Sequence, residues 1–284
     1  MPIYQERIKQ FYPAIKIPKV FEEEDRGFVR CCKPLLVLAG GTETWQNDIN
    51  SAWLKLADPS DTVTFTLEKE GTPAIYQPTK IEFPNEPNAF YATVPWFDVL
   101  ASDGIGCYDI KVEYNIQGFI GSFMWATYKL KNWSIQNALK TARLRVIFNL
   151  KQEVEGIDFT GSNVEDSIRF HGYIGDKQPN TEIDNLNYQD RVVKSVYREN
   201  LRSWIITTDP YTDEILRLFT DLYLLSENEL FISDYNAHNE SYRIQDQEAI
   251  VIESPELTKP DRFSRGTILT CKVGQKRNNQ RTRY

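Results

Sequence analysis

The sequence predicts a mainly β protein: an N-terminal immunoglobulin-like β-sandwich followed by a second β-rich domain that carries one helix. Three observations lead there. The chain of 284 residues holds 15 Tyr and 15 Phe, with 13% aromatic residues in all, and aromatic side chains favour strands. Several short segments alternate apolar and polar residues with the two-residue period of a half-buried strand. Turn-forming pairs such as Glu70-Gly71 and Gln117-Gly118 separate these segments at intervals that suit a sandwich.

Residues 1–28 form an expected extended arm, because Pro2, Pro13 and Pro18 interrupt any periodicity and Glu22-Glu23-Glu24-Asp25 is a run of charge. Residues 29–135 are the expected sandwich. Its strands are Val29–Leu38, ended by Gly40-Gly41, then Thr62–Glu68, Phe90–Phe97, Cys107–Tyr114 and Ser122–Leu130. Val63, Phe65 and Leu67 alternate with threonines in the second of these, and Tyr108, Ile110, Val112 and Tyr114 alternate in the fourth. Turns fall at Pro84–Pro87 and Ser102-Asp103-Gly104. Trp133–Thr141 has no pattern and marks a boundary.

Residues 141–275 are the second expected domain. Its strands are Arg143–Leu150, Ser167–Ile174, Val192–Val196, Ser203–Thr207, Ala249–Glu253 and Thr267–Val273. Its helix spans 212–225, where Ile215, Leu218, Phe219, Leu222 and Leu225 share one face at helical spacing. Asp209 and Thr212 suit the N-cap, and Pro210 suits a first helical position. The stripe is expected to cover the second sheet. Residues 276–284 are a basic C-terminal tail.

Charge and cysteines bound the function. The net charge of −7 argues against a general nucleic-acid binder, which carries a basic face. Locally the sign reverses: after Asp261 there is no acidic residue, while Arg262, Arg265, Lys272, Lys276, Arg277, Arg281 and Arg283 are positive. Such an extension suits docking on an acidic neighbour or on nucleic acid, or else is a solvated tail. No apolar run approaches the length of a membrane span, and the first residues lack the apolar stretch of a secretory signal. Cys31, Cys32, Cys107 and Cys271 include no CxxC pair and suit reduced thiols in a reducing cytoplasm.

Residues with chemical potential are few. Of two histidines, His171 falls inside an expected strand and His238 in a polar loop, with no second ligand at metal-binding spacing. The acidic cluster Glu155, Asp158, Glu165 and Asp166 would satisfy a glycosidase only as a facing pair of carboxyls. Asp234-Tyr235-Asn236 with Asn239 and Glu240 offers oxygen ligands for calcium but not the spacing of an EF-hand, so a side-chain-capped turn is the stronger reading. Trp45, Trp53, Trp96, Trp125, Trp133 and Trp204 are candidate sugar platforms, with Trp45 in the most polar setting. No catalytic, cofactor-binding or metal-binding residue is assigned, and no cofactor is expected.

One resemblance adds to this. Gly156-Ile157-Asp158-Phe159-Thr160-Gly161-Ser162 leads to Glu165-Asp166-Ser167-Ile168-Arg169, and later come Tyr223-Leu224-Leu225 and Phe231-Ile232-Ser233-Asp234-Tyr235-Asn236. Over residues 141–275, about half the chain, this resembles virion structural proteins of tailed phages that infect Bacteroidota-type hosts, crAss-like phages among them, of the kind found in tails, necks and baseplates. The resemblance implies a structural, non-enzymatic subunit assembled in the host cytoplasm and located in the virion tail region. Its implied partners are copies of itself in a symmetric ring and other tail or neck proteins. The alternative is a carbohydrate-binding module that uses exposed tryptophans.

Overall fold

The computed structural model of the protein describes residues 8–9, 35–139, 141–152, 157–175, 178–187, 193–211, 215–216, 218–224, 229–235, 244–259 and 266–275. Apart from Ile8–Lys9, the expected arm lies outside the described residues, as does the tail 276–284. The protein is mainly β, with several sheets.

The first half runs β1 (Ile8–Lys9), β2 (Leu35–Ala39), β3 (Ile49–Leu56), β4 (Thr62–Lys69), β5 (Thr72–Pro73), β6 (Ile81–Phe83), β7 (Glu86–Pro95), α1 (Trp96–Asp103), β8 (Gly106–Ile116) and β9 (Phe119–Asn132). One sheet has the order β1-β3-β7-β6 and the other β2-β9-β8-β4-β5, with β2 parallel to β9. They face each other through rings such as Trp53 of β3 and Trp125 of β9, whose centroids are 5.5 Å apart. The alternation expected in β4 is present: Val63, Phe65 and Leu67 are buried, and Thr62 and Thr64 are exposed. The turns Glu70-Gly71 and Gln117-Gly118 each place two consecutive residues at positive φ. That is the turn twist which two-residue hairpins require.

After α2 (Ile135–Ala138) the second half runs β10 (Ala142–Phe148), β11 (Lys151–Gln152), β12 (Ile157–Asp158), β13 (Val164–Phe170), β14 (Gly172–Ile174), β15 (Gln178–Asn187) and β16 (Val193–Thr208). A π-helix (Leu218–Leu224) precedes β17 (Glu229–Asp234), β18 (Ile244–Val251), β19 (Glu256–Thr258) and β20 (Ile268–Gln275). The large sheet has the order β13-β10-β17-β18-β20-β16-β14, with β15 added to β16 and β19 to β20. Its two end strands, β13 and β14, are joined by His171 alone, so the sheet must curl until its ends meet. The Ile174 N–H of β14 donates to Asp234 Oδ2 of β17 across that closure, at 2.8 Å.

Several boundaries differ from expectation, each for a local reason. The strand expected over Phe90–Phe97 ends at Pro95, where α1 begins; Trp96 and Val99 are buried one helical turn apart. The strand expected over Ser167–Ile174 breaks at His171, because Gly172 at φ +149 turns the chain against Thr207. Of the separate strands expected at Val192–Val196 and Ser203–Thr207, residues 193–196 and 203–207 are parts of the single β16, and Val192 lies outside the described residues. In the expected helix 212–225, residues 215–216 are helical and Leu218–Leu224 form the π-helix, while 212–214, 217 and 225 lie outside the described residues. Ile215, Leu216, Phe219, Tyr223 and Leu224 are buried there and Asp221 is exposed. The buried apolar residues of both halves form one cluster, from Leu35 through Trp53 and Phe148 to Val273.

Candidate functional site

The densest set of buried polar groups lies where the two halves meet. There the free edge of β13 approaches the first half of β3, and side chains fill the place of a strand ladder. Ser167 Oγ accepts from the Ile49 N–H at 3.2 Å and donates to the Ile49 carbonyl at 2.8 Å. Asn50 Nδ2 donates to the Ser167 carbonyl at 2.7 Å, and Ser51 Oγ donates to the Glu165 carbonyl at 2.7 Å. Small polar residues are required here, since each must reach across the gap to backbone groups that would otherwise be buried without partners.

Asp48, just before β3, holds the second layer of this seam. Arg143 of β10 and Arg169 of β13 are register partners, and like charges directly opposite destabilise a strand pair. The Asp48 carboxylate stands between them. Its Oδ1 lies 2.9 Å from Arg143 Nε as an ion pair not aligned as a hydrogen bond, and its Oδ2 accepts from Arg169 Nε at 2.5 Å and from the Leu38 N–H at 2.7 Å. The Asp48 and Arg143 side chains are each only 1% exposed. Arg143 Nη1 also donates to the Trp45 carbonyl at 2.8 Å. Outward along β10, Arg145 bonds Asp246 and, at 3.0 Å, Glu165, and lies 4.1 Å over the Phe231 ring. Three arginines thus meet three carboxylates.

Asp166 is a buried carboxyl at the centre of the seam. Its carboxylate accepts from Asn50 Nδ2 at 2.6 Å, the Ser51 N–H at 3.1 Å and the Tyr223 hydroxyl at 2.8 Å. Asn50 in turn accepts from Trp96 Nε1 at 2.8 Å, which ties α1 to the seam. Burial pushes the Asp166 carboxyl up to about 7, against the pull of Tyr223 and Asn50. Burial, with Asp166 beside it, holds the Tyr223 hydroxyl well above the ordinary phenol range, so it stays a donor. Asp234 is likewise raised by burial, to about 6, against the hydrogen bond from Ile174.

The acidic cluster singled out in the sequence is dispersed. Successive strand residues point to opposite faces, so Glu165 turns to Arg145 while Asp166 turns to Tyr223, and the two carboxyls do not face one another. Asp158 caps its own turn by accepting from the Thr160 N–H; Glu155 lies outside the described residues. His171 occupies the corner between β13 and β14, its N–H donating to the Tyr211 hydroxyl at 2.6 Å and its carbonyl accepting from the Asp209 N–H. His238, Asn236, Asn239 and Glu240 lie outside the described residues, and Asp234 is used in the sheet closure. Among the described residues no group of three or more His, Cys, Asp or Glu is arranged to hold a metal ion.

Trp53, Trp96, Trp125 and Trp204 are buried. Trp45 is half-buried and stacks on Tyr235, with centroids 6.1 Å apart and planes at 21°, while Trp133 meets both edge-on. These rings pack on one another across the two halves. Cys271 is buried, and desolvation pushes its thiol up to about 12; Cys31 and Cys32 lie outside the described residues. Sequence reasoning missed Asp48, Asn50, Ser51, Arg143 and Arg169 as a set. The available signal was a charge every second residue in the apolar run Arg143-Leu144-Arg145. No protein-family model matches the chain, and no curated protein is significantly similar to it.

Proposed function

We propose that the chain is a non-catalytic structural subunit of a tailed-phage virion, placed in the tail or head-to-tail region and acting through contacts with copies of itself and with other tail or neck proteins. The observation that carries this reading is the seam. Asp48, Arg143, Arg169, Glu165 and Asp166, the groups best suited by charge and burial to do chemistry, are committed to ion pairs and hydrogen bonds within the molecule: Asp48 to the two arginines, Glu165 to Arg145, and Asp166 to Asn50, Ser51 and Tyr223. Paired and hydrogen-bonded in this way, they lock two sheets into one block, which is the property a load-transmitting subunit needs. The resemblance over residues 141–275 supports the same reading.

Purified protein examined by native mass spectrometry and by particle imaging is expected to form a closed ring with rotational symmetry. Isolated monomers at every concentration would count against it. A panel of soluble glycans is expected to be neither bound nor cleaved; cleavage that disappears in Glu165→Gln would replace the structural reading with an enzymatic one.

A further inference from the structure

We infer that the chain's own basic C-terminal segment, from Lys276 onward, fills a strand-wide slot in the large sheet between β18 and β16. The inference is independent of the phage reading above.

The slot is set by where three strands run. In the large sheet β20 lies between β18 and β16. Its last pairs are Gln275 with Ala249 on one side and Gly274 with Ser203 on the other. Both neighbours run on past that point, β18 through Glu248 to Ile244 and β16 through Arg202 to Val193. Among the described residues no strand lies between these two continuations. Alternation along each strand tells which backbone groups line the slot. The Ile252 N–H donates to the Lys272 carbonyl, so the N–H and C=O of Ile250 and then Glu248 face the line of β20. Beyond Glu248 the β18 wall turns away, since the Asp246 N–H donates to Ser233 Oγ of β17. On β16 the Ile205 carbonyl accepts from the Gly175 N–H, on the side away from β20. Arg202, Asn200 and Arg198 therefore direct their backbone groups into the slot. Two such edges facing one another are a template for an extended segment.

Three observations name the occupant. β20 points along the slot, so Lys276 enters it with no connecting loop, and a segment tethered at the entrance outcompetes a free one. Residues 276–284 contain no Gly or Pro that would end a strand. Charge agrees: these residues carry Lys276, Arg277, Arg281 and Arg283 and no acidic group, while β18 carries Asp246 and Glu248 and no Lys or Arg. Continued by one residue, the β18–β20 register sets Lys276 opposite Glu248, a favourable cross-strand pair. Seated there, the segment clasps β18 to β16, and its basic side chains are held on the sheet instead of being offered to nucleic acid.

A chain ending at Gln275, compared with the full chain by hydrogen exchange, tests this. In the full chain the amides of Arg198, Asn200 and Arg202 are expected to be slow. In the shortened chain they are expected to become fast, while Glu199 and Leu201, which face β15, keep their rates. Fast slot amides in the full chain, or no change on shortening, would overturn the inference. Should the shortened chain fail to fold, Arg277→Pro in the full chain gives the same readout, because it removes an N–H directed at β16.

A labelled peptide of residues 276–284 is the second measure. It is expected to bind the shortened chain and not the full chain, whose slot is taken. Glu248→Lys in the shortened chain is expected to weaken that binding about fivefold. Equal binding to both chains, or to neither, would overturn the inference. Slot amides that are slow only at concentrations where full chains associate would assign the slot to a neighbour's tail and overturn it as well. So would binding of the full chain to a short DNA duplex that is lost on shortening, since the tail would then serve nucleic acid.

Discussion

Two guanidinium groups facing each other across a strand pair oppose folding unless something neutralises them. In the large sheet that something is Asp48, 121 residues away from Arg169 in sequence and belonging to the other half of the molecule. Asp48→Ala takes the shared carboxylate from buried Arg143 and Arg169 and leaves Arg143 only the more distant Asp246, at 3.7 Å; breaking a buried pair in this way costs about 3–5 kcal/mol. Urea unfolding of the variant should show that loss; a change under about 0.5 kcal/mol, typical of surface sites, would mean that water reaches the arginines. Asp166 gives the seam a pH dependence whose sign is fixed. Burial raises its folded pKa to about 7, well above the ordinary carboxyl range near 4, so between these values the folded state holds a proton that the unfolded chain has released. Stability therefore falls as pH rises from about 4 to about 7 and levels off above that. Asp234, raised to about 6, acts in the same direction over a narrower window. Asp166→Asn should remove the larger part of the slope in thermal unfolding measured across this range, and an unchanged slope would assign it elsewhere. The sequence made Arg143 and Arg145 visible as charges in an apolar run. It could not show their counter-ions, because pairing over such a separation is a property of the assembled sheets.

Among elements, β4 and β8 were legible because one face of each is buried along much of its length and the other is wetter, which writes alternation into the sequence. β3 was not legible. Ile49-Asn50-Ser51-Ala52-Trp53-Leu54 is buried at nearly every position, with the sandwich core on one side and the seam on the other, so no period survives. The same holds for α1, whose Trp96, Phe97 and Val99 read locally as strand formers; the helix is stabilised by packing and by the Trp96–Asn50 hydrogen bond. Two substitutions test what holds the elements of the second half. At Gly172, a Cβ would stand 2.3 Å from the Thr207 carbonyl oxygen, and the residue is at φ +149. Gly172→Ala should cost about 1–3 kcal/mol for backbone strain, with the clash in addition, and should loosen the join between β13 and β14. Wild-type stability would mean that the corner adjusts freely. In the π-helix, Phe219 is fully buried and meets Phe170 edge-on at 5.1 Å. Phe219→Ala should cost about 3–5 kcal/mol. Leu222, on the stripe seen in the sequence, has a side chain outside the described residues, so Phe219 is the position at which the covering role of this helix can be tested. A loss within about 0.5 kcal/mol would place the helix outside the core.

For the whole molecule, the question is whether the sandwich and the curled sheet unfold separately. Chains of this length commonly contain two domains, and the sequence divides naturally near residues 135–141. The physical connection across that line is nevertheless extensive. Trp53 of the sandwich packs against Phe148 and Phe159 of the second half, with centroids 5.3 and 5.9 Å away. Asp48 neutralises two arginines of the second half, and the exposed edges of β3 and β13 satisfy each other. Separating the halves without unfolding them would uncover those rings and leave buried charges and backbone groups without partners, several of which cost about 1–3 kcal/mol each. Total stabilities are only about 5–15 kcal/mol. An intermediate with one half folded would therefore lose a large part of its stability and is not expected to accumulate. The full chain should show one cooperative urea transition, coincident by tryptophan fluorescence, which reports on Trp45, Trp53, Trp96, Trp125, Trp133 and Trp204 in both halves, and by far-ultraviolet circular dichroism. In Asp48→Ala both signals should move to lower urea together. Two resolved transitions in the wild-type chain, or a shift in that variant confined to one of two phases, would show that the seam joins independently stable bodies rather than making one.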